Sequence, residues 1–150
     1  MHSNLFELRK FLLILQLIEE GQVKLDGKLL EYLPEFYVEG AENITIHQLL
    51  THTAGITGHP RISNLLDIEK QHYTREEFLR LITNYDLVYE PSEGTEYSNF
   101  GYGLLGLVIE KVTGKSYDEV MNEQRKVIYQ RRDQILQGLD LKLAAMDYLA

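Results

Sequence analysis

Apolar residues occupy almost every side of the first stretch of the chain. Leu5, Phe6, Leu8, Phe11 to Leu15, Leu17 and Ile18 leave little polar surface before Glu19 and Glu20. That pattern predicts a helix over 5–20 that belongs inside a fold, surrounded by other elements. Gly21 can close it. Over 22–40 the periodicity is lost. Asp26-Gly27 signals a turn and Pro34 a break, so irregular chain with a short strand and a short helix is expected. Thr45-Ile46-His47-Gln48 fits a capping box and predicts a short helix ending near Gly55. Residues 56–73 read mainly as loop. Thr74-Arg75-Glu76-Glu77 is a second capping box, opening a helix to about Asn84 with Phe78, Leu79 and Ile82 facing inward. Pro91 to Gly94 make a turn. Ser98 or Asn99 can cap a helix that runs to Thr113, with Gly114 as its stop. Ser116-Tyr117-Asp118-Glu119 is a third capping box. Its helix is expected to reach about Gln137, closed by Gly138, with a final helix over 140–149. Helix dominates and strand signals are few.

Composition narrows the function classes. A chain of 150 residues suits one core. A net charge of -8 argues against a nucleic-acid surface, which needs clustered Lys and Arg. The absence of Cys removes disulfides, thiol catalysis and Cys-based zinc sites, and it leaves the compartment unread. Arg9 and Lys10 precede FLLILQLI, which resembles the opening of a signal peptide. No small-residue cleavage site follows. The run is too short for a membrane span, which needs roughly 20 apolar residues. A buried helix is the favoured reading.

Two chemistries compete for residues 96–106, EYSNFGYGLLG. Gly101, Gly103 and Gly106 spell G-x-G-x-x-G, the loop of a dinucleotide site. That loop needs a buried strand before it, and PSEGTEYSNF is polar and turn-like. Close packing of another helix accounts better for Gly103 and Gly106. The second possibility is Tyr97-x-Asn99, a tyrosine with a polar partner just ahead of a helix. Alone it is a weak signal among ten tyrosines.

The surroundings strengthen it. LQLIEEGQVKLDGKLLEYLPEF, ITIHQLLTHTAGI and EPSEGTEYSNFGYGLLGLVIEKVTGKSY occur in this order. Together, over about 13–117, they resemble the serine β-lactamase-related family, which includes class C β-lactamases, DD-peptidases and related esterases. The resemblance implies an acyl-enzyme mechanism on a β-lactam, peptide or ester. It assigns Tyr97 to proton transfer near the nucleophile, and Asn99 to holding the substrate and the catalytic lysine. A phenol with an ordinary pKa near ~10 is a poor base at neutral pH and needs a neighbouring cation.

The remaining machinery is missing from these residues. Counting back from Gly21 by the family's spacing puts its serine at Asn4 and its lysine at Glu7. Ser3 and Lys10 do not rebuild the pair, because they stand roughly 10 Å apart along a helix where the motif needs about one turn. No S-x-x-K occurs in the 150 residues. The family's Lys/His-Thr/Ser-Gly strand is also not found. Val112-Thr113-Gly114-Lys115 has the letters in the wrong order, and His52-Thr53-Ala54-Gly55 is a turn in which His52 is expected to bond locally. Ser98 and Ser3 have no positioned base, so esterase activity through either is not expected.

Residues 117–138, YDEVMNEQRKVIYQRRDQILQG, follow a different pattern. They resemble the scaffold helix of the preprotein translocase motor ATPase SecA. No nucleotide motif accompanies them, since Ile109 occupies the first glycine position of G-x-x-x-x-G-K-[ST]. Arg125, Lys126, Arg131 and Arg132 read as a solvated helix face. The five histidines, His2, His47, His52, His59 and His72, show no metal-ligand spacing.

The expectation is therefore a mainly α chain. It holds the helical part of a β-lactamase/transpeptidase-like fold without most of its antiparallel sheet, over 1–116, with an appended helical tail over 117–150. Its function would be that of a truncated or inactive relative of acyl-enzyme hydrolases, keeping Tyr97 and Asn99, with no cofactor, metal or nucleic acid. The alternative is a helical binding module. Apolar faces around Phe11, Leu15, Leu104 and Leu105 would then be covered by the tail or by a homo-oligomer.

Overall fold

A computed structural model describes residues 3–58 and 73–149. The chain is mainly α. Among the described residues, sheet content is limited to one antiparallel bridge between Lys28 and Thr45. The helices are α1 (Ser3–Glu19), α2 (Leu29–Tyr32), α3 (Ile46–Leu50), α4 (Arg75–Ile82), α5 (Asn99–Thr113) and α6 (Tyr117–Leu149), with a 3-10 turn at Ala41–Asn43. The chain divides into two compact units, 1–114 and 115–150.

In the first unit α5 is the central element, and α1, α2 and α3 pack against it. Its run of Leu104 to Ile109 is almost wholly buried, joined by Ile14, Phe36, Ile44, Ile46 and Leu49. Leu104 and Leu105, which the binding-module alternative put on faces to be covered by the tail or a second copy, are fully enclosed in this core. α1 differs from its prediction in the opposite sense. Leu13, Ile14 and Leu17 are buried, but Leu8, Leu12 and Leu15 are exposed, so only one side of this apolar helix is covered.

All three capping boxes form. The Thr45 Oγ1 accepts from the Gln48 N–H while the Gln48 side chain accepts from the Thr45 N–H. Thr74 with Glu77 and Ser116 with Glu119 repeat the exchange. Each box satisfies N–H groups that a helix start leaves orphaned. α3 stops earlier than expected, at Leu50, because His52 turns the chain with φ +58°. α4 buries Ile82, with Phe78 and Leu79 half-buried. The loop predicted over 56–73 lies mostly outside the described residues.

The second unit is the single helix α6. It was expected to break at Gly138, yet it continues from Tyr117 to Leu149. One interior glycine costs roughly 1 kcal/mol. The Leu, Lys, Ala and Met residues that follow it are good helix formers and outweigh that cost. No described helix is long and apolar enough to cross a membrane.

Candidate functional site

The segment 88–98 is laid along the segment 52–58 by backbone hydrogen bonds. The Val88 N–H donates to Gly55 O at 2.8 Å, Ser92 to Thr53 O at 2.8 Å, and Glu96 to His52 O at 3.0 Å. The Glu96 carboxylate accepts from the Gly58 N–H at 3.1 Å. Gly58 permits this approach: a Cβ there would lie 1.9 Å from the Tyr97 carbonyl oxygen. The pairing delivers Tyr97 to the start of α5.

Ser98 is the N-cap of α5. Its Oγ accepts from the Gly101 N–H at 3.0 Å and donates to Thr57 O at 3.0 Å. The side chain is buried and already committed, so it has no free role as a nucleophile. Asn99 occupies the exposed first position of α5.

His52 is the hub of the site, and its bonding is not local. Its Nδ1 accepts from the Ser98 N–H, 46 residues away, at 3.0 Å. Since Nδ1 is the acceptor, the neutral ring carries its proton on Nε2. The ring lies between two tyrosines, with centroids 4.8 Å from Tyr97 and 5.0 Å from Tyr102. The His52 carbonyl also accepts from the Tyr89 hydroxyl at 3.2 Å. Burial pushes the His52 imidazole below its ordinary range, and Glu7 opposes that shift. Tyr102 donates to Leu50 O at 3.0 Å, and burial, with Glu7 adding to it, raises its phenol above the usual value.

The Tyr97 hydroxyl donates to the Glu7 carboxylate of α1. Glu7 is the position that counting from Gly21 gives to the family's lysine, and Asn4 lies one turn earlier in the same helix. Tyr97 therefore faces an anion where the resemblance calls for a cation. A phenol hydrogen-bonded to a carboxylate is the donor of the pair. Lys10 lies one turn beyond Glu7, against Gly106 of α5, where a Cβ would be 3.4 Å from its Cε. Burial lowers the Lys10 ammonium from its usual range, while Glu7 and Glu110 pull the other way.

The structure thus brings Tyr97, His52, Tyr102 and Glu7 into one cluster. Sequence reasoning found Tyr97 and Asn99 from their motif. It placed Glu7 only as a substitution, and it missed the long-range role of His52. Gly103 meets a neighbouring side chain as expected, since a Cβ there would lie 2.1 Å from the Phe78 ring of α4. Among the described residues no group of three or more His, Cys, Asp or Glu could hold a metal. His2, His59 and His72 lie outside them.

Two family models match the chain, and they overlap over 114–124. Residues 11–124 match the family model described as Beta-lactamase. Residues 114–150 match the model of the SecA Wing and Scaffold domain. Protein flp of Staphylococcus aureus (strain MW2) is 35% identical over 115 residues, covering 75% of this chain and 23% of the relative. Penicillin-binding protein 4 of Amycolatopsis lactamdurans is 30% identical over 115 residues, covering 75% and 29%. The chain therefore spans about a quarter of the length of these relatives. Among solved structures, a penicillin binding protein from Bacillus halodurans superimposes with a TM-score of 0.63 and 31% identity, over 75% of this chain and 36% of that one. A D-stereospecific amidohydrolase from Streptomyces sp. gives 0.62 and 29%, over 77% and 36%. The first unit is thus similar to the helical portion of a β-lactamase/transpeptidase-like fold.

Proposed function

The chain belongs to the β-lactamase family over residues 11–124, and from that premise we propose that it is a relative without acyl-transfer activity. The observation that carries this reading is the hydrogen bond from Tyr97 to Glu7. An acyl-enzyme mechanism in this family needs a serine, a lysine and a tyrosine close together. Asn4 and Glu7 stand at the first two positions. A carboxylamide is not a nucleophile, and a carboxylate cannot favour a phenolate beside it. Tyr97 and Asn99 are then relics of a Tyr-x-Asn site.

The sequence offers no replacement. Ser98 is buried and bonded through both its donor and its acceptor. Lys10 is one turn from Glu7 on α1, and no serine stands one turn before it. The ligand class that the family suggests is a β-lactam, peptide or ester, and the name of one relative points to penicillins. Binding without turnover is the part of that chemistry this site could keep. In this reading, residues 1–116 are the β-lactamase-related segment, and 117–150 are an added helical tail that takes no part in the chemistry.

The test is intact-protein mass after incubation with a reactive penicillin. The expected result is an unchanged mass. A stoichiometric adduct would overturn the reading, and peptide mapping would then locate the activated residue.

A further inference from the structure

We propose that the Glu7–Tyr97 cluster selects ligands that carry an organic ammonium group, such as the amino end of a short peptide, and disfavours ligand carboxylates. The inference rests on the reading of this site as one that binds without turnover, and it narrows the ligands which that reading allows. The first observation is geometric. The Glu7 carboxylate accepts from the Tyr97 hydroxyl. A carboxylate has two oxygens with about four lone-pair sites, and one phenol uses one of them. An ammonium brings three N–H donors to such a group, and the bonds it makes are charge-assisted. Tyr97 is 42% exposed, so the ring beside the carboxylate reaches solvent. The face of a tyrosine ring attracts a cation that comes within about 6 Å of its centroid. Carboxylate and ring together offer an ammonium an ion pair and a cation–π contact.

The same surroundings offer an anion little. An anion needs N–H or O–H donors, and those around the cluster are committed. The Tyr97 hydroxyl is given to Glu7, the Ser98 N–H to His52, the Gly101 N–H to the Ser98 Oγ, the Gly58 N–H to Glu96 and the Tyr102 hydroxyl to Leu50 O. A ligand carboxylate would have to displace one of these and would face Glu7 with like charge.

Charge is the third argument. Lys10 is one turn beyond Glu7, and both Glu7 and Glu110 act on its ammonium. Two carboxylates against one cation leave this group of residues negative even with Lys10 protonated. The influence of Glu7 also reaches His52 and Tyr102, which are neutral rings. The whole chain carries a net charge of -8, so the wider field has the same sign.

The test uses three probes of one shape and different charge: benzylammonium, benzyl alcohol and phenylacetate. Each is titrated into the full chain while the His52 ring proton signals, identified by their loss in His52→Asn, are followed by NMR. Benzylammonium should give saturable shifts and bind about tenfold or more tightly than phenylacetate, with benzyl alcohol between them. It should also lower the pH at which His52 titrates, because a bound cation offsets Glu7, which favours the protonated ring. Glu7→Gln keeps an acceptor for Tyr97 and removes the charge. In that variant the three probes should bind alike, with the tyrosine near-ultraviolet signal unchanged. Equal binding of phenylacetate, no saturable shift with benzylammonium, or selectivity that survives in Glu7→Gln would each overturn the proposal. The reactive-penicillin experiment stands apart. A penicillin adduct together with Glu7-dependent benzylammonium binding would overturn the reading without acyl transfer and leave the ammonium preference standing. An unchanged mass without that binding would do the reverse.

Discussion

His52 holds a neutral ring in a position where protonation has a definite structural cost. Its Nδ1 receives the Ser98 N–H, so a proton added there would set two donors against each other. The groups around the ring are Tyr97, Tyr102 and Glu7, and only Glu7 favours the charged form. The folded pKa is below the unfolded value of about 6.5, so the native state binds fewer protons. The His52 contribution to stability is complete above the unfolded value and is lost as the pH falls through the folded one. Denaturant unfolding should therefore show stability declining as the pH falls below about 6.5. In His52→Asn, which tolerates the positive φ and cannot titrate, that decline should flatten. His52→Ala leaves the Ser98 N–H without its acceptor and should cost about 1–3 kcal/mol at neutral pH. A wild-type profile flat over this range would refute the account. Glu77 and Glu119 act in a separate window. Hydrogen bonds from Thr74 and Ser116 hold both below the ordinary carboxylate range, so their contribution is lost only at more acid pH.

At the scale of elements, two glycines in helices show how differently the same letter behaves. Gly103 of α5 faces the Phe78 ring, which also meets Phe100 edge-on at 6.2 Å. Gly103→Ala should push that ring aside and lower stability by about 1–3 kcal/mol. Gly138 of α6 has nothing within 4 Å of a built Cβ. Gly138→Ala should stabilise α6 by up to about 1 kcal/mol, the difference in helix propensity. Thermal unfolding followed by circular dichroism checks both, and equal signs for the two substitutions would contradict this contrast. Helix starts were legible in the sequence because a capping box is a local device: Thr45, Thr74 and Ser116 bond partners only three residues on. Helix ends were less so. Gly114 stops α5 with φ +68°, while Gly138 is simply carried through, and the letter alone does not distinguish them.

Across the whole molecule, the site was legible only as far as its motif. Tyr97 and Asn99 could be picked out from a few adjacent letters, but the partner of Tyr97 is 90 residues away. Nothing in the spacing says which side of α1 meets the end of segment 88–98. The same holds for α1 itself, whose apolar residues looked fit for burial on all sides although Leu8, Leu12 and Leu15 are exposed. Burial depends on which other elements are at hand, and a periodic pattern does not report them. The division into units of 1–114 and 115–150 leads to a last expectation. The first unit keeps its own core around α5 and its own tyrosine cluster at His52, whereas α6 is started by the Ser116–Glu119 exchange. Weakening that cap with Ser116→Ala should reduce helical signal by fraying the start of α6, at a cost of about 1 kcal/mol. The near-ultraviolet signal of the tyrosines packed on His52 should stay unchanged, because the Ser116–Glu119 exchange is local and none of the bonds described for that cluster involves either residue. If the cap variant also lost the near-ultraviolet signal, the two units would have to unfold as one, and the tail would be part of what holds the β-lactamase-related core together.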